Sequence, residues 1–196
     1  SLLSEGAKAA AELGLGYDSD LSSMESNGSL KGNQNRISER AIRRGELALG
    51  TLGSGNHFLE LQIVDSILDP VAAKAFGLRK GQVTAMIHSG SRGLGHQVCS
   101  DHVESIEKCY KRAGDQWYSE KWDITLPDRQ LAAAPFHSTA GTDYFDAMQA
   151  AGNFAFANRS ALTQRLRDAL RAHLGTDGEL EVIYDVCHNI AKVEEH

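Results

Sequence analysis

Three histidines stand where folded chains often carry ligands or catalytic groups, at the ends of strand-like runs beside flexible loops. His57 follows a glycine-rich turn, Gly50-Thr51-Leu52-Gly53-Ser54-Gly55, while His88 and His188 each follow an apolar run. From Asn56 the chain alternates. His57, Leu59, Leu61 and Ile63 would point to one side, and Asn56, Phe58, Glu60 and Gln62 to the other. One short strand then offers an imidazole on one side and an amide, an aromatic ring and a carboxylate on the other. Imidazole nitrogen is a transition-metal ligand. No His-x-His or His-xxx-His pair fixes a geometry locally, so spacing alone leaves open a structural, hydrogen-bonded role for each ring.

A second candidate is the loop His88-Ser89-Gly90-Ser91-Arg92-Gly93-Leu94-Gly95. Its glycines expose backbone N–H groups, and with Gly95 read as a helix N-terminus it could receive a phosphate or sulfate. Arg92 could add a bidentate contact. It is not a Walker loop, since no Gly-Lys-Ser/Thr follows; a tight strand-to-helix turn is the alternative. His96 could touch the same anion, and His102 reads as a core residue. No serine sits in a GxSxG elbow after a strand.

The elements that must position these groups read as follows. A helix over 2–14 closes at Gly14 and Gly16, and a polar loop covers 17–37. Ser38 caps a helix over 39–49 with Gly50 as its stop. A strand over 56–65, a short helix over 70–76 and a buried strand over 82–87 follow. The helix over about 95–112 has one apolar face that takes Cys99 and Cys109 into the core. Residues 114–140 read as irregular. A long helix over 142–173, bent at Gly152, stops at Gly175, and a last strand covers 181–186. Strands and helices do not alternate regularly, which excludes a doubly wound sheet. The expected class is mixed α/β (α+β), sheet elements flanked by helices, in a single domain over 1–196.

Composition narrows the function. The chain has 196 residues, a hydrophobic fraction of 41% and a formal net charge of -6, so it is not a general nucleic-acid coat. Arg36, Arg40, Arg43 and Arg44 could form a local phosphate patch or only a solvated helix face. Three cysteines without a CxxC spacing point to a reducing, cytoplasmic setting. No apolar run has the length of a membrane span, and no signal peptide is visible. The chain starts without Met and stops soon after Cys187-His188-Asn189, so a piece of a longer protein is expected.

Taken together, LGTLGSGNHFLE at 49–60, MIHSGSRGLGHQ at 86–97 and HNIAKVEEH at 188–196 resemble the RtcB-type RNA ligase family, the tRNA-splicing ligases. The stretch APFHSTAGTDYFDAMQAAGNFAFANR at 134–159 supports the resemblance, which covers essentially the whole chain. It implies an RtcB-like fold and an enzyme that joins RNA 2′,3′-cyclic phosphate or 3′-phosphate ends to 5′-hydroxyl ends. GTP and Mn²⁺, two ions in a complete site, are the implied cofactors. By motif position, His57, His88 and His188 resemble metal ligands. Asn56, His57, Phe58, Leu59, Glu60, His188 and Asn189 resemble the GTP-contacting set, and Arg92 lies in the loop near phosphates and RNA. The implied partners are RNA, as tRNA halves or broken strands, and, in some members, an archease-like activator.

The departures from the family pattern are specific. The Asp-x-Gly-Cys-Gly-type motif that supplies a carboxylate and a bridging cysteine is absent, and Cys99, Cys109 and Cys187 do not stand in it. None of the eight histidines matches the one that is guanylylated in the family. The expectation is therefore no catalytic histidine within this chain, and a chain inactive by itself. The alternative readings are a metal-dependent phosphoesterase and a non-enzymatic nucleotide- or RNA-binding fragment.

Overall fold

The computed structural model describes residues 1–175 and 180–195. Its organising element is α5, Thr139–Leu174, a helix of 36 residues and, at 1.5 Å per residue, roughly 54 Å long. The Ser138 hydroxyl accepts the Gly141 N–H at its start, and Gly175 ends it in the left-handed conformation at φ 61°. From Gln149 to Leu162 every residue is buried. A helix buried all round is a central one, and its alanines let neighbours approach closely. No non-helical residue interrupts it at Gly152, where the Leu30 side chain occupies the space a Cβ would take.

The other helices pack around this spine. They are α1 (Leu2–Glu12), α2 (Glu39–Glu46), α3 (Pro70–Ala75) and α4 (Arg92–Glu107). Alpha1 kinks at Gly6, φ 54°, where a Cβ would stand 2.1 Å from the Gly28 carbonyl oxygen. The polar stretch 17–37 is built of short 3-10 turns and lies against α1 and α5. Ser38 caps α2, as its position predicts, by accepting the Ala41 N–H. One core joins Ile37, Leu94, Val98 and Phe154 with α5 alanines, and a second joins Ala7, Met24, Leu30 and Phe156. Burying each large side chain contributes about 1.5–3 kcal/mol.

The polar residues inside the spine are hydrogen-bonded to distant segments, as burial requires. Asn153 accepts the Leu30 N–H at 2.6 Å and donates to the carbonyls of Leu3 and Leu30, each at 2.9 Å. Arg167 grips Asp20 with two bonds, 2.8 and 2.7 Å, and donates to the Leu180 carbonyl.

The described sheets are small and antiparallel. Strands β1 (Phe58–Ile63) and β2 (Val83–His88) form a pair, and β3 (Lys111–Ala113), β4 (Gln116–Ser119) and β5 (Ile124–Leu126) form a meander. Several expectations change here. Beta2 is not buried: none of its residues is fully enclosed, and Val83 is 65% exposed. The stretch 114–140 contains the meander, which encloses its own small core of Ile106, Tyr110 and Leu126 against Trp117 and Trp122. Residues 181–186 form no strand; among the described residues their one ladder contact is an isolated parallel bridge between Met24 and Asp185. Alpha4 begins three residues earlier than expected and ends at Glu107, so Cys109 lies beyond it. Cys99 is exposed rather than in the core. His102 is half-buried, its ring stacked on Tyr144 and its Nε2 donating to the Arg36 carbonyl. The mixed α/β class holds. Among the described residues no helix is long and apolar enough to cross a membrane.

Candidate functional site

The antiparallel register of β1 and β2 pairs Phe58 with His88, which sets the start of one strand beside the end of the other. The glycine turn delivers the chain to that point through Gly53 and Gly55, both at positive φ, which glycine adopts without a Cβ penalty. The Phe58 ring meets His88 edge-on, with centroids 5.2 Å apart, and the His57 ring lies 6.3 Å from His88. His57 precedes the regular strand, so strict alternation does not turn it away. From the other end of the chain comes His188: its ring centroid is 5.1 Å from that of His88, and the two Nε2 atoms are 3.4 Å apart. The structure therefore gathers the three histidines that the sequence singled out.

Two adjacent residues of α5 hold the three segments in register. Asn158 is fully buried. Its Oδ1 accepts the N–H groups of Gly50 and Thr51 at 2.7 and 3.2 Å, and its Nδ2 donates to Ser89 Oγ and the Gly90 carbonyl at 3.2 and 3.1 Å. Arg159 donates to Asp185 Oδ1 at 2.7 Å and to the Ser89 carbonyl at 3.3 Å. Burial works against the charge on Arg159, but Asp185 beside it lifts the guanidinium pKa above its ordinary value. Burial pushes the Cys187 thiol up, against the opposing pull of Arg159. Glu25 adds a further tie: it accepts the Cys187 N–H at 3.0 Å and pairs with Lys192. Sequence reasoning missed Asn158, Arg159 and Glu25. The available signal for the first two was a pair of strongly polar residues directly after the apolar run Phe154-Ala155-Phe156-Ala157 of the long helix.

The donor chemistry fits a metal in part. Among the described residues, no group of three or more His, Cys, Asp or Glu side chains is arranged to close around one ion. The His88–His188 separation of 3.4 Å nevertheless suits two neighbouring positions of one coordination shell. Metal–nitrogen bonds of roughly 2.0–2.1 Å at angles between a right angle and the tetrahedral angle put the nitrogens about 2.9–3.4 Å apart. His57 Nδ1 lies 2.7 Å from the Ser54 carbonyl. A carbonyl only accepts, so Nδ1 carries the proton and Nε2 keeps its lone pair for a ligand role.

Beside His188 opens a cleft of about 250 Å³ lined by Ser89, Gly90, Tyr144, Arg159, His188 and Asn189. Glu60 shares the Phe58 face of the sheet and accepts a hydrogen bond from Gln62. Leu59 points to the opposite face, paired with Ile87, and Asn56 is exposed in the turn. Alpha4 starts at Arg92, so Gly95 lies at the end of its first turn, where its N–H faces the Ser91 carbonyl at 3.5 Å. Arg92 has φ 54°, a strained value for a side-chain-bearing residue. Its guanidinium lies over the glycine turn, with Nε 3.4 Å from Thr51 Oγ1 and Nη1 where a Cβ on Gly53 would be.

Comparison with known proteins bears directly on this arrangement. The family model described as tRNA-splicing ligase RtcB matches residues 1–196. The chain is 46% identical over 200 residues to a tRNA-splicing ligase RtcB of Pyrococcus furiosus, which covers 100% of this chain and 20% of that protein. It is 46% identical over 199 residues to the namesake from Thermococcus kodakarensis, covering 39% of it. It is 47% identical over 196 residues to an RNA-splicing ligase RtcB of Mycobacterium tuberculosis, covering 43% of it. The chain thus spans less than half the length of each of these relatives.

Proposed function

The chain belongs to the RtcB family of tRNA-splicing ligases, and from that premise we propose that it forms the imidazole-bearing part of a GTP- and Mn²⁺-dependent RNA ligase. The observation that carries the reading is the meeting of His88 and His188, 100 residues apart in sequence, at an Nε2–Nε2 distance of 3.4 Å beside a cleft. In this reading His88 and His188 hold one ion, and His57, its ring centroid 6.3 Å from that of His88, joins them as a ligand. When bound, Mn²⁺ neutralises phosphate charge and aligns the reacting oxygens. Phe58 offers an aromatic face for a base, while Asn56, Glu60 and Asn189 offer polar groups to GTP. Arg92, braced on the glycine turn, presents a guanidinium to RNA phosphates.

In the complete enzyme, ends bearing a 2′,3′-cyclic phosphate or 3′-phosphate would be joined to 5′-hydroxyl ends, on tRNA halves or broken RNA. An archease-like activator belongs to the same reading. The three free thiols support a reducing, cytoplasmic setting. Calorimetric titration with Mn²⁺, with and without GTP, tests the proposal on this chain and on His57→Ala, His88→Ala and His188→Ala, with circular dichroism to confirm folding. Each substitution should weaken Mn²⁺ binding by more than roughly tenfold, the loss that removal of an outer-shell partner already produces. A folded parent chain that binds no Mn²⁺ would sink the reading.

A further inference from the structure

We infer that Arg159 is the positioning residue that sets the separation of His88 and His188. Its guanidinium touches the chain neighbour of each histidine: Nη1 donates to the carbonyl of Ser89, which follows His88, and Nη2 lies 3.5 Å from the sulfur of Cys187, which precedes His188. Nε donates to Asp185, two residues further back, at 2.7 Å. One planar, rigid fork thus spans two segments that no strand ladder joins among the described residues. The fork stands on the fully buried stretch of α5, and the Phe156 ring supports its face with a centroid 4.9 Å away. A lysine would keep the charge but carries its three N–H donors on one nitrogen at the end of a flexible stem, so it cannot reproduce donors spread across a rigid plane. The consequence for metal binding rests on the reading of the two histidines as ligands; the geometry itself does not.

The test therefore has two readouts. With isotope-labelled histidine, the metal-free 196-residue chain should show a nuclear Overhauser contact between the His88 and His188 rings. In Arg159→Lys, with its fold verified by circular dichroism, that contact should disappear. Co²⁺ affinity, read from its visible absorption, should fall roughly 10- to 100-fold, as for other outer-shell losses. Asp185→Asn, which keeps an acceptor for the fork, should move both readouts the same way by less, and serves where Arg159→Lys does not fold. A merely structural role would lower the melting temperature while leaving the ring contact and the Co²⁺ affinity of the folded protein unchanged; that result overturns the inference. Absence of the ring contact in the parent chain overturns it as well. A parent chain with the ring contact but no Co²⁺ binding would instead defeat the metal reading and leave positioning to be judged on the contact alone.

Discussion

At the scale of single residues, the site depends on side chains that do no chemistry themselves. Asn158 uses both ends of its amide to join the turn before His57 to the loop after His88. Replacement by Ala takes the acceptor from the buried Gly50 N–H, at about 1–3 kcal/mol for a group left unpaired, while the Thr51 N–H keeps the Ala48 carbonyl at 3.1 Å. Asn158→Ala should therefore lower the urea midpoint clearly, and an unchanged midpoint would mean that water takes over these contacts. His57 and His88 were legible in the sequence because strand ends and glycine turns are local signals; His188 was singled out behind a strand over 181–186 that does not form. Asn158 and Arg159 were not, since their partners lie between 26 and 108 residues away. A polar residue in a helix announces only that it needs a partner; which one is decided by packing.

At the scale of elements, close approach of backbone to backbone decides which changes the fold tolerates. A Cβ on Gly32 would stand 2.2 Å from the Ala150 nitrogen of α5, and neither backbone can give way. Gly32→Ala should cost more than the about 1–3 kcal/mol typical of overpacking, whereas Gly90→Ala, with nothing within 4 Å, should melt close to the parent. Equal melting temperatures for the two would contradict this account. Glu25 ties the segment bearing His188 to the early loop. Burial alone would raise its pKa, but Lys192 and the Cys187 N–H together bring it below the ordinary 4.5. A depressed carboxyl stabilises the fold above its unfolded value, and that contribution is lost as pH falls through 4.5 toward the folded value. Glu25→Gln should flatten this part of the acid-stability curve, as followed by denaturant midpoints from pH 6 downward; an unaltered slope would exclude the tie. Alpha2 was readable from its cap, Ser38, and α5 from its pattern and its stop at Gly175. The meander was readable too, from the two-residue Gly114-Asp115 turn between aromatic and charged flanks, but two prolines and short strands made it look irregular. The strand expected over 181–186 failed for a different reason: β-propensity supplies no partner strand.

For the whole molecule, the face of the β1–β2 pair that carries Leu61, Ile63 and Val83 is uncovered, with these side chains 61%, 69% and 65% exposed. Contiguous apolar surface of this kind promotes association. Light scattering should show concentration-dependent self-association of the chain, reduced in Leu61→Lys/Val83→Lys; scattering that is the same for both would show the face to be inert. The long helix has a consequence in time as well as in space. It gathers residues that precede it by far, with 108 positions between Asn158 and Gly50 and 147 between Arg167 and Asp20. A ribosome adding roughly 5–20 residues per second takes about 5–20 s to travel from the glycine turn to the asparagine that will hold it. Throughout that interval the turn, both strands and the first two histidines are already outside or emerging without their spine. The nascent chain therefore completes its site only after its last helix is made, and anything that stalls synthesis before α5 leaves His57 and His88 in place along the chain but not in space, with His188 still to be added.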